Sequence, residues 1–390
     1  MTPVRSYAEL DRVRKSPDVI CFSHLRWDFV FQRPQHLLTR CARERRVYYI
    51  EEPLFEDAIL PRLETRLRGS VKVIVPHLPA GAADPDAMQR ALVNDLIATE
   101  DIGDYLLWYY TPMALSFSDH LAPAAVVYDC MDELSAFKGA SSLLKQREAA
   151  LLRTASLVLT GGQSLYEAKR AQHHNIHPFP SSVDVKHFAQ ARSIKFEPDD
   201  QAAIPHPRLG FFGVIDERMD LDLLRGVAEA RPDWHIVMLG PVVKIDPETL
   251  PALPNIHYLG AKKYEELPGY IAGWDVALMT FALNEATRFI SPTKTPEYMA
   301  AGKPVVSTSI RDVVRPYGQQ GLVRIADDVP GFVSACEAAI AEDSSARITR
   351  ADAFLRQMSW DRTWTRIQIL VDAALAPSAS AASDSVAAAV

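Results

Sequence analysis

Ser291-Pro292-Thr293-Lys294-Thr295-Pro296-Glu297-Tyr298-Met299-Ala300-Ala301-Gly302-Lys303-Pro304-Val305-Val306 is the most informative run in this chain. Ser291 is suited to cap a helix, and Pro292 to occupy its first position, where a missing N–H costs nothing. Gly302 supplies a left-handed stop, and Lys303 to Val306 opens a buried strand. The free amides of such a first turn, near Thr293 and Lys294, suit a diphosphate. Glu297, one turn further in, is placed to accept hydrogen bonds from the two hydroxyls of a ribose. A capped surface helix with a solvated Glu accounts for the same residues, and on this run alone the two readings stay open.

Working outward, short apolar runs alternate with helical stretches through both halves of the chain. In the second half these are Leu209-Gly210-Phe211-Phe212, His235-Ile236-Val237-Met238-Leu239, Val276-Ala277-Leu278-Met279 and Pro304-Val305-Val306-Ser307. In the first they are Val19 to Phe22, Val47 to Ile50, Val71 to Val75, Tyr105 to Tyr109, Ala125 to Tyr128 and Leu157 to Thr160. Such runs predict parallel sheets covered on both faces, with helices such as Asp86 to Thr99 and Leu143 to Thr154 between strands. The polar stretch Ala189 to Pro207, with Pro198, Pro205 and Pro207, suits an interdomain connection. The expected division is a domain over 1–190, a second over 191–357, a helix over 358–376 and a disordered low-complexity tail over 377–390. The fold class is α/β: two doubly wound domains whose strand ends face a shared cleft.

The 390 residues are ample for two cores, and 48% hydrophobic with 23% charged is ordinary for a soluble globular protein. A net charge of −7 argues against a generic nucleic-acid binder. No run approaches a spanning helix, and Met1 to Ser6 has no signal-peptide core, so a cytoplasmic location is expected. Cys21, Cys41, Cys130 and Cys336 are too scattered for a zinc or redox pair and are expected as thiols.

Four segments, in order, resemble the GT-B glycosyltransferases of the family 4 and group 1 type. Ser291 to Val306 is similar to that family's donor motif, E-A-x-A-x-G-x-P-V-V, whose Glu holds the ribose of a sugar nucleotide. Phe179-Pro180-Ser181-Ser182-Val183-Asp184-Val185-Lys186-His187-Phe188 resembles its exit from the N-terminal domain. Leu209 to Glu217 resembles the first strand and glycine turn of its C-terminal domain, and Met358-Ser359-Trp360-Asp361-Arg362-Thr363-Trp364 the opening of its last helix. The resemblance covers about Val19 to Leu375. It implies two Rossmann-like domains, a nucleoside-diphosphate-sugar donor (UDP or GDP) on the second, and a glycan, lipid or small-molecule acceptor from the first. It implies retaining, metal-independent transfer, with amides and basic side chains neutralising the diphosphate. The usual setting is synthesis of cell-surface polysaccharide or glycolipid.

Candidate residues follow from the strand-end loops. After the first strand, His24, Arg26, Trp27 and Asp28 make an aromatic and charged cluster suited to sugar. Gln32, Arg33 and His36 stand where the family has a glycine-rich loop, and offer side-chain contacts instead. Local packing and solvation are the competing readings. Asp129 and Asp132 end another strand where the family often has a His; they could bind sugar hydroxyls, hold a metal or cap the next segment. Gly213 and Arg218 lie at the second phosphate candidate, where Val214 replaces the family's Arg, so Arg218 and Lys294 are the expected clamp on the departing phosphate. The family's E-x7-E pattern puts its first Glu at Phe289, which leaves Glu285 or Arg288 nearest to that role. Tyr264 lies where the family brackets its nucleobase, or simply starts an amphipathic helix. Arg40, Arg43, Arg45 and Arg46 make a basic helix end, read either as a peripheral membrane contact or as cations at a helix C-terminus. Two rivals to transfer remain: a sugar-nucleotide epimerase on the same fold, using Asp129, Asp132 and His24, and a non-catalytic nucleotide-sugar-binding module.

Overall fold

The computed structural model describes residues 16–376; the low-complexity tail and the opening Met1 to Ser6 lie outside the described residues. The first sheet contains β1 (Asp18–Phe22), β2 (Val47–Ile50), β3 (Leu54–Glu56), β4 (Arg62–Arg68), β5 (Val71–Pro79), β6 (Tyr105–Tyr109), β7 (Ala125–Cys130), β8 (Leu157–Thr160) and β9 (Ile176–Pro178). Its order is β3-β5-β2-β1-β6-β7-β8-β9. All its pairs are parallel except β4, which runs antiparallel on β5. This hairpin departs from the all-parallel expectation. Gly69, at φ +60, turns the chain with Ser70 between the paired Arg68 and Val71, a two-residue hairpin connection.

The second sheet contains β10 (Arg208–Phe212), β11 (His235–Leu239), β12 (Ile256–Gly260), β13 (Val276–Met279), β14 (Val305–Ser307) and β15 (Arg324–Ile325). Its order is β12-β11-β10-β13-β14-β15, parallel throughout. In each sheet the chain first builds outward one way, then returns to the other side of its first strand. The crevices beside β1/β6 and β10/β13 are therefore the switch points where such sheets bind ligands.

Residues 189–207, read as a polar connection, are packed rather than free, as is Phe188 just before them. Phe188 is wholly buried in the core of the second sheet. Gln201 donates to the Tyr270 carbonyl at 2.9 Å and accepts from Trp274 Nε1 at 3.0 Å.

The last helix, Trp360–Leu375, is capped by the Ser359 hydroxyl, which accepts from Arg362 N at 3.1 Å. Its Trp360, Trp364, Ile367 and Val371 join the core of the first sheet, against Val19, Cys21, Trp108 and Leu157. The basic helix end is spent on this same helix. Arg40 and Arg43 pair with Asp361, and Arg45 with Asp372; Arg46 instead pairs with Asp18. These arginines therefore have acidic partners within the protein, in surface pairs that salt screens. The four cysteines are buried and unpaired.

The Ser291 to Val306 run starts its helix later than expected. The helix is Lys294–Ala300, preceded by Thr293 with no side-chain cap, so Ser291 is not the cap and Pro292 not the first helical residue. Pro296 explains the shift. In a helix beginning at Pro292 it would fall in the second turn, where its missing N–H and its ring against the carbonyl four residues earlier both cost energy. Starting at Lys294 leaves it in the first turn, where no donor is needed. The helix is tied down by Thr295, whose hydroxyl lies 3.2 Å from Met279 Sδ, and by Tyr298, whose hydroxyl accepts from Phe212 N at 3.0 Å.

Candidate active site in the interdomain cleft

The carboxyl ends of both sheets meet across a cleft. Three contacts fix their approach. Phe31 packs on Tyr264 with centroids 4.8 Å apart. Phe137, from the loop after β7, lies beneath both Arg218 and Lys244, at 5.6 and 5.2 Å. Gly162 abuts the second domain so closely that a Cβ there would stand 2.7 Å from Ser291 Cβ and 2.3 Å from Asp312 Oδ2. Ser291 thus serves as a domain contact. Next to it, Asp312 accepts from Ser164 N at 3.0 Å and from the Ser164 hydroxyl, capping a helix of the opposite domain.

The second domain supplies most of the charge. At the end of β10 the chain turns through Gly213, whose φ of +142 is a conformation other residues rarely adopt. A Cβ there would also lie 2.5 Å from Lys294 Cε. The bare glycine is therefore what lets the Lys294 side chain lie across the loop, its ammonium over the Phe212 ring at 5.5 Å. Burial lowers the Lys294 pKa, with Glu297 opposing the shift and Arg218 adding to it. Arg218 forks onto Asp216 at 2.7 to 3.1 Å through Nε and Nη2. Two cations thus converge at the mouth of a helix, as a diphosphate would require.

Glu297 lies within that helix. Burial raises its carboxyl to about 7, Lys294 opposing, and its Oε2 is buried without a hydrogen-bond partner. The Tyr264 hydroxyl is likewise buried and unpartnered; burial, then Glu297, raise its pKa. Its ring stacks on His187 at 4.1 Å, and the His187 imidazole lies 2.9 Å from the Tyr264 carbonyl. A buried polar atom left unpaired costs energy, so these groups suit a ligand that donates hydrogen bonds.

Across the cleft, Asp132 is half-buried, and burial raises its carboxyl to about 6 against the pull of Arg218 and Arg33. His24 faces Lys244; burial, then that lysine, lower its pKa to about 4, and its Nδ1 is buried without a partner. Gln32 remains half-exposed at the head of its helix, its N–H taken by Gln35 Oε1 at 3.0 Å.

Several expectations are corrected here. Arg33 and Asp129, at 1% and 0% exposure, bind one another at 2.8 Å beneath the cleft floor, and Arg33 Nη1 also donates to the Phe179 carbonyl at 2.6 Å. Neither can reach a substrate. Trp27 is core, edge-on to Tyr49 at 4.9 Å, and its backbone N–H donates to Glu51 Oε1 at 2.7 Å. Arg26 is committed to Glu51 at 3.0 Å and to the carbonyls of Glu52 and Pro53. Asp28 pairs with Arg68 on the outer surface. His36 stacks on Trp360 at 4.3 Å, and burial lowers its pKa to about 3. Glu285 and Arg288 are exposed and pair weakly with each other, while Phe289 packs on the first domain.

Lys244, Phe137, Asp312 and Glu217 also face or brace this region, and no motif in the sequence gives them a role. Lys244 carries a positive φ of +63 in the loop after β11, a strand-end position that the switch-point rule flags only once strand order is known. Glu217 lay inside a quoted motif but had no role. Both of its carboxylate oxygens are buried and unpartnered.

Residues 206–342 match the family described as Glycosyl transferases group 1. Over 257 residues the chain is 25% identical to the protein named "Putative teichuronic acid biosynthesis glycosyltransferase TuaH" of Bacillus subtilis (strain 168), an alignment spanning 61% of this chain and 64% of that protein. Sucrose-phosphate synthase from Thermosynechococcus elongatus superposes with a TM-score of 0.70 at 14% identity, covering 93% of this chain and all of that one. HepE of Anabaena, solved in complex with UDP, superposes with a TM-score of 0.66 at 15% identity, covering 91% and 100%. The chain shares the GT-B fold of these structures, and its second domain is similar to the Glycosyl transferases group 1 family over residues 206–342.

Proposed function

We propose that the protein transfers a sugar from a nucleoside-diphosphate donor to an acceptor hydroxyl. The observation that carries this reading is the buried Glu297 carboxyl, whose Oε2 has no hydrogen-bond partner, set one turn inside a helix whose mouth is flanked by Lys294 and Arg218. That arrangement suits a diphosphate joined to a vicinal diol, which is a nucleoside diphosphate. In support, HepE shares the fold and was solved with UDP, and TuaH is named as a glycosyltransferase of teichuronic acid biosynthesis.

In the transfer, the anomeric carbon–oxygen bond of the donor breaks as the acceptor oxygen bonds to that carbon. Arg218 and Lys294 stabilise the charge gathering on the departing diphosphate, a task we assign to them without a metal. In the retaining mode the leaving phosphate takes the acceptor's proton, so no protein base is required. Cleft closure excludes water from the reacting carbon. The acceptor, a glycan or a lipid-linked sugar, enters from the first domain, and a lipid-linked one would bring the protein to the inner face of the membrane. No helix among the described residues is long and apolar enough to cross a membrane.

One observation favours a second stereochemical reading. Asp132 stands in the cleft with its carboxyl raised to about 6, fit to take a proton near neutrality and so to serve inverting transfer. The anomeric proton coupling of the product, read by NMR, separates the two modes.

Calorimetric titration with UDP and with GDP, each with and without EDTA, tests the donor reading. Micromolar binding of one nucleotide, unaffected by EDTA, is expected; failure of both to bind removes its support. Acceptor-dependent release of nucleotide then distinguishes transfer from epimerisation and from binding alone.

A further inference from the structure

The loop from Gly213 to Asp220 is held on both sides. Ile215 N donates to the Pro241 carbonyl and Val243 N to the Ile215 carbonyl, both at 3.0 Å. On the other flank, Ala282 N donates to the Arg218 carbonyl and Asp220 N to the Thr280 carbonyl, both at 2.8 Å. Asp216, Glu217 and Arg218 therefore sit at the tip of a braced turn over the β10/β13 switch point. Asp216 is consumed by Arg218. Glu217 is not: both its oxygens are buried with no hydrogen-bond partner, while its carbonyl lies 3.5 Å from Asn284 Nδ2.

An ionised carboxylate accepts hydrogen bonds and donates none. Its complement must be a hydroxyl, an amine or a cation; a phosphate is excluded, and a second carboxylate would be repelled. Glu217 adjoins Arg218, which reaches from the diphosphate position to Phe137 of the opposite domain. On the donor reading, the group that follows the diphosphate is the sugar.

We propose that Glu217 binds hydroxyls of the transferred sugar, and that the donor sugar is neutral rather than a uronic acid. The proposal rests on the donor reading above. It adds the chemical class of the sugar and the residue that selects it.

The test is titration of wild type and Glu217→Gln with UDP, UDP-glucose, UDP-galactose, UDP-N-acetylglucosamine, GDP, GDP-mannose and UDP-glucuronic acid. Circular dichroism and melting first establish that the variant folds; replacing a buried carboxyl that has no hydrogen-bond partner should leave its melting point equal or higher. The bare nucleotide should bind both proteins alike. Its best neutral sugar derivative should bind the variant about tenfold more weakly, the worth of one charge-assisted hydrogen bond. Wild type should prefer a neutral sugar over the uronate, and the variant should lose that preference. Equal affinities of both proteins for every sugar nucleotide, with the bare nucleotide still bound, overturn the assignment of Glu217 alone. Failure of any nucleotide to bind wild type overturns the donor reading and this proposal with it. Tightening of nucleotide binding by Mn²⁺ that the variant lacks would overturn the proposal in favour of a cation at Glu217.

Discussion

Replacing Glu297 by Gln should make the protein more stable and a poorer nucleotide binder. The two effects arise from one cause. Burial raises the Glu297 carboxyl from 4.5 to about 7, which at pH 8 corresponds to a cost of roughly 3 kcal/mol for holding it ionised in the fold. Because the folded carboxyl titrates above the unfolded one, this cost is absent below about pH 4.5, grows through the interval and is complete above about 7. Gln keeps the shape and removes the charge. The variant should therefore melt with wild type at pH 4.5 and above it at pH 8. Binding moves the other way, since an ionised acceptor contributes about 1.5–3 kcal/mol per hydrogen bond and the neutral amide oxygen less. A net loss of about 2 kcal/mol weakens UDP or GDP roughly thirtyfold. Wild-type affinity should also climb from pH 6 to 8 more steeply than the variant's, a comparison that cancels the phosphate's own titration. Thermal melts and calorimetry over pH 4.5–8 read both. Unchanged nucleotide affinity in Glu297→Gln, or a variant that melts lower at pH 8, refutes the reasoning.

Three further outcomes follow. Arg33→Met should cost about 3–5 kcal/mol in urea melts by stranding the buried Asp129 charge, and Arg33→Met with Asp129→Leu should recover most of it, both leaving nucleotide affinity per folded molecule intact. Gly213→Ala forces a side chain into a conformation at φ +142 and against Lys294; about 1–3 kcal/mol of stability and a clear loss of nucleotide affinity by calorimetry are expected. Trp360→Ala removes the His36 stack and the anchor of the last helix. About 3–5 kcal/mol should be lost, with proteolytic cleavage near Ser359 rising well before the second domain is attacked.

The strands were legible because burial on both faces leaves a compositional mark: Val19 to Phe22, Val47 to Ile50 and His235 to Leu239 are apolar runs of strand length, and each is a strand. The Glu297 segment was legible because proline, glycine and a single acid follow local rules of helix geometry. Even its register was written there, since Pro296 forbids a start at Pro292. What the sequence by itself determined was therefore local: the parallel α/β elements, the short helix that carries Glu297 and the terminal helix that Ser359 opens. What only the tertiary structure decided was which polar residues meet each other instead of a ligand. Arg33 and Asp129 are 96 positions apart and look like a phosphate fork and a sugar acid until the fold buries them together. Glu217 and Lys244 looked idle until the fold left one carboxylate unpaired and set the other's ammonium over Phe137 of the opposite domain. Hydrogen-bond satisfaction is a property of three-dimensional neighbours, and no pattern of spacing along the chain records it.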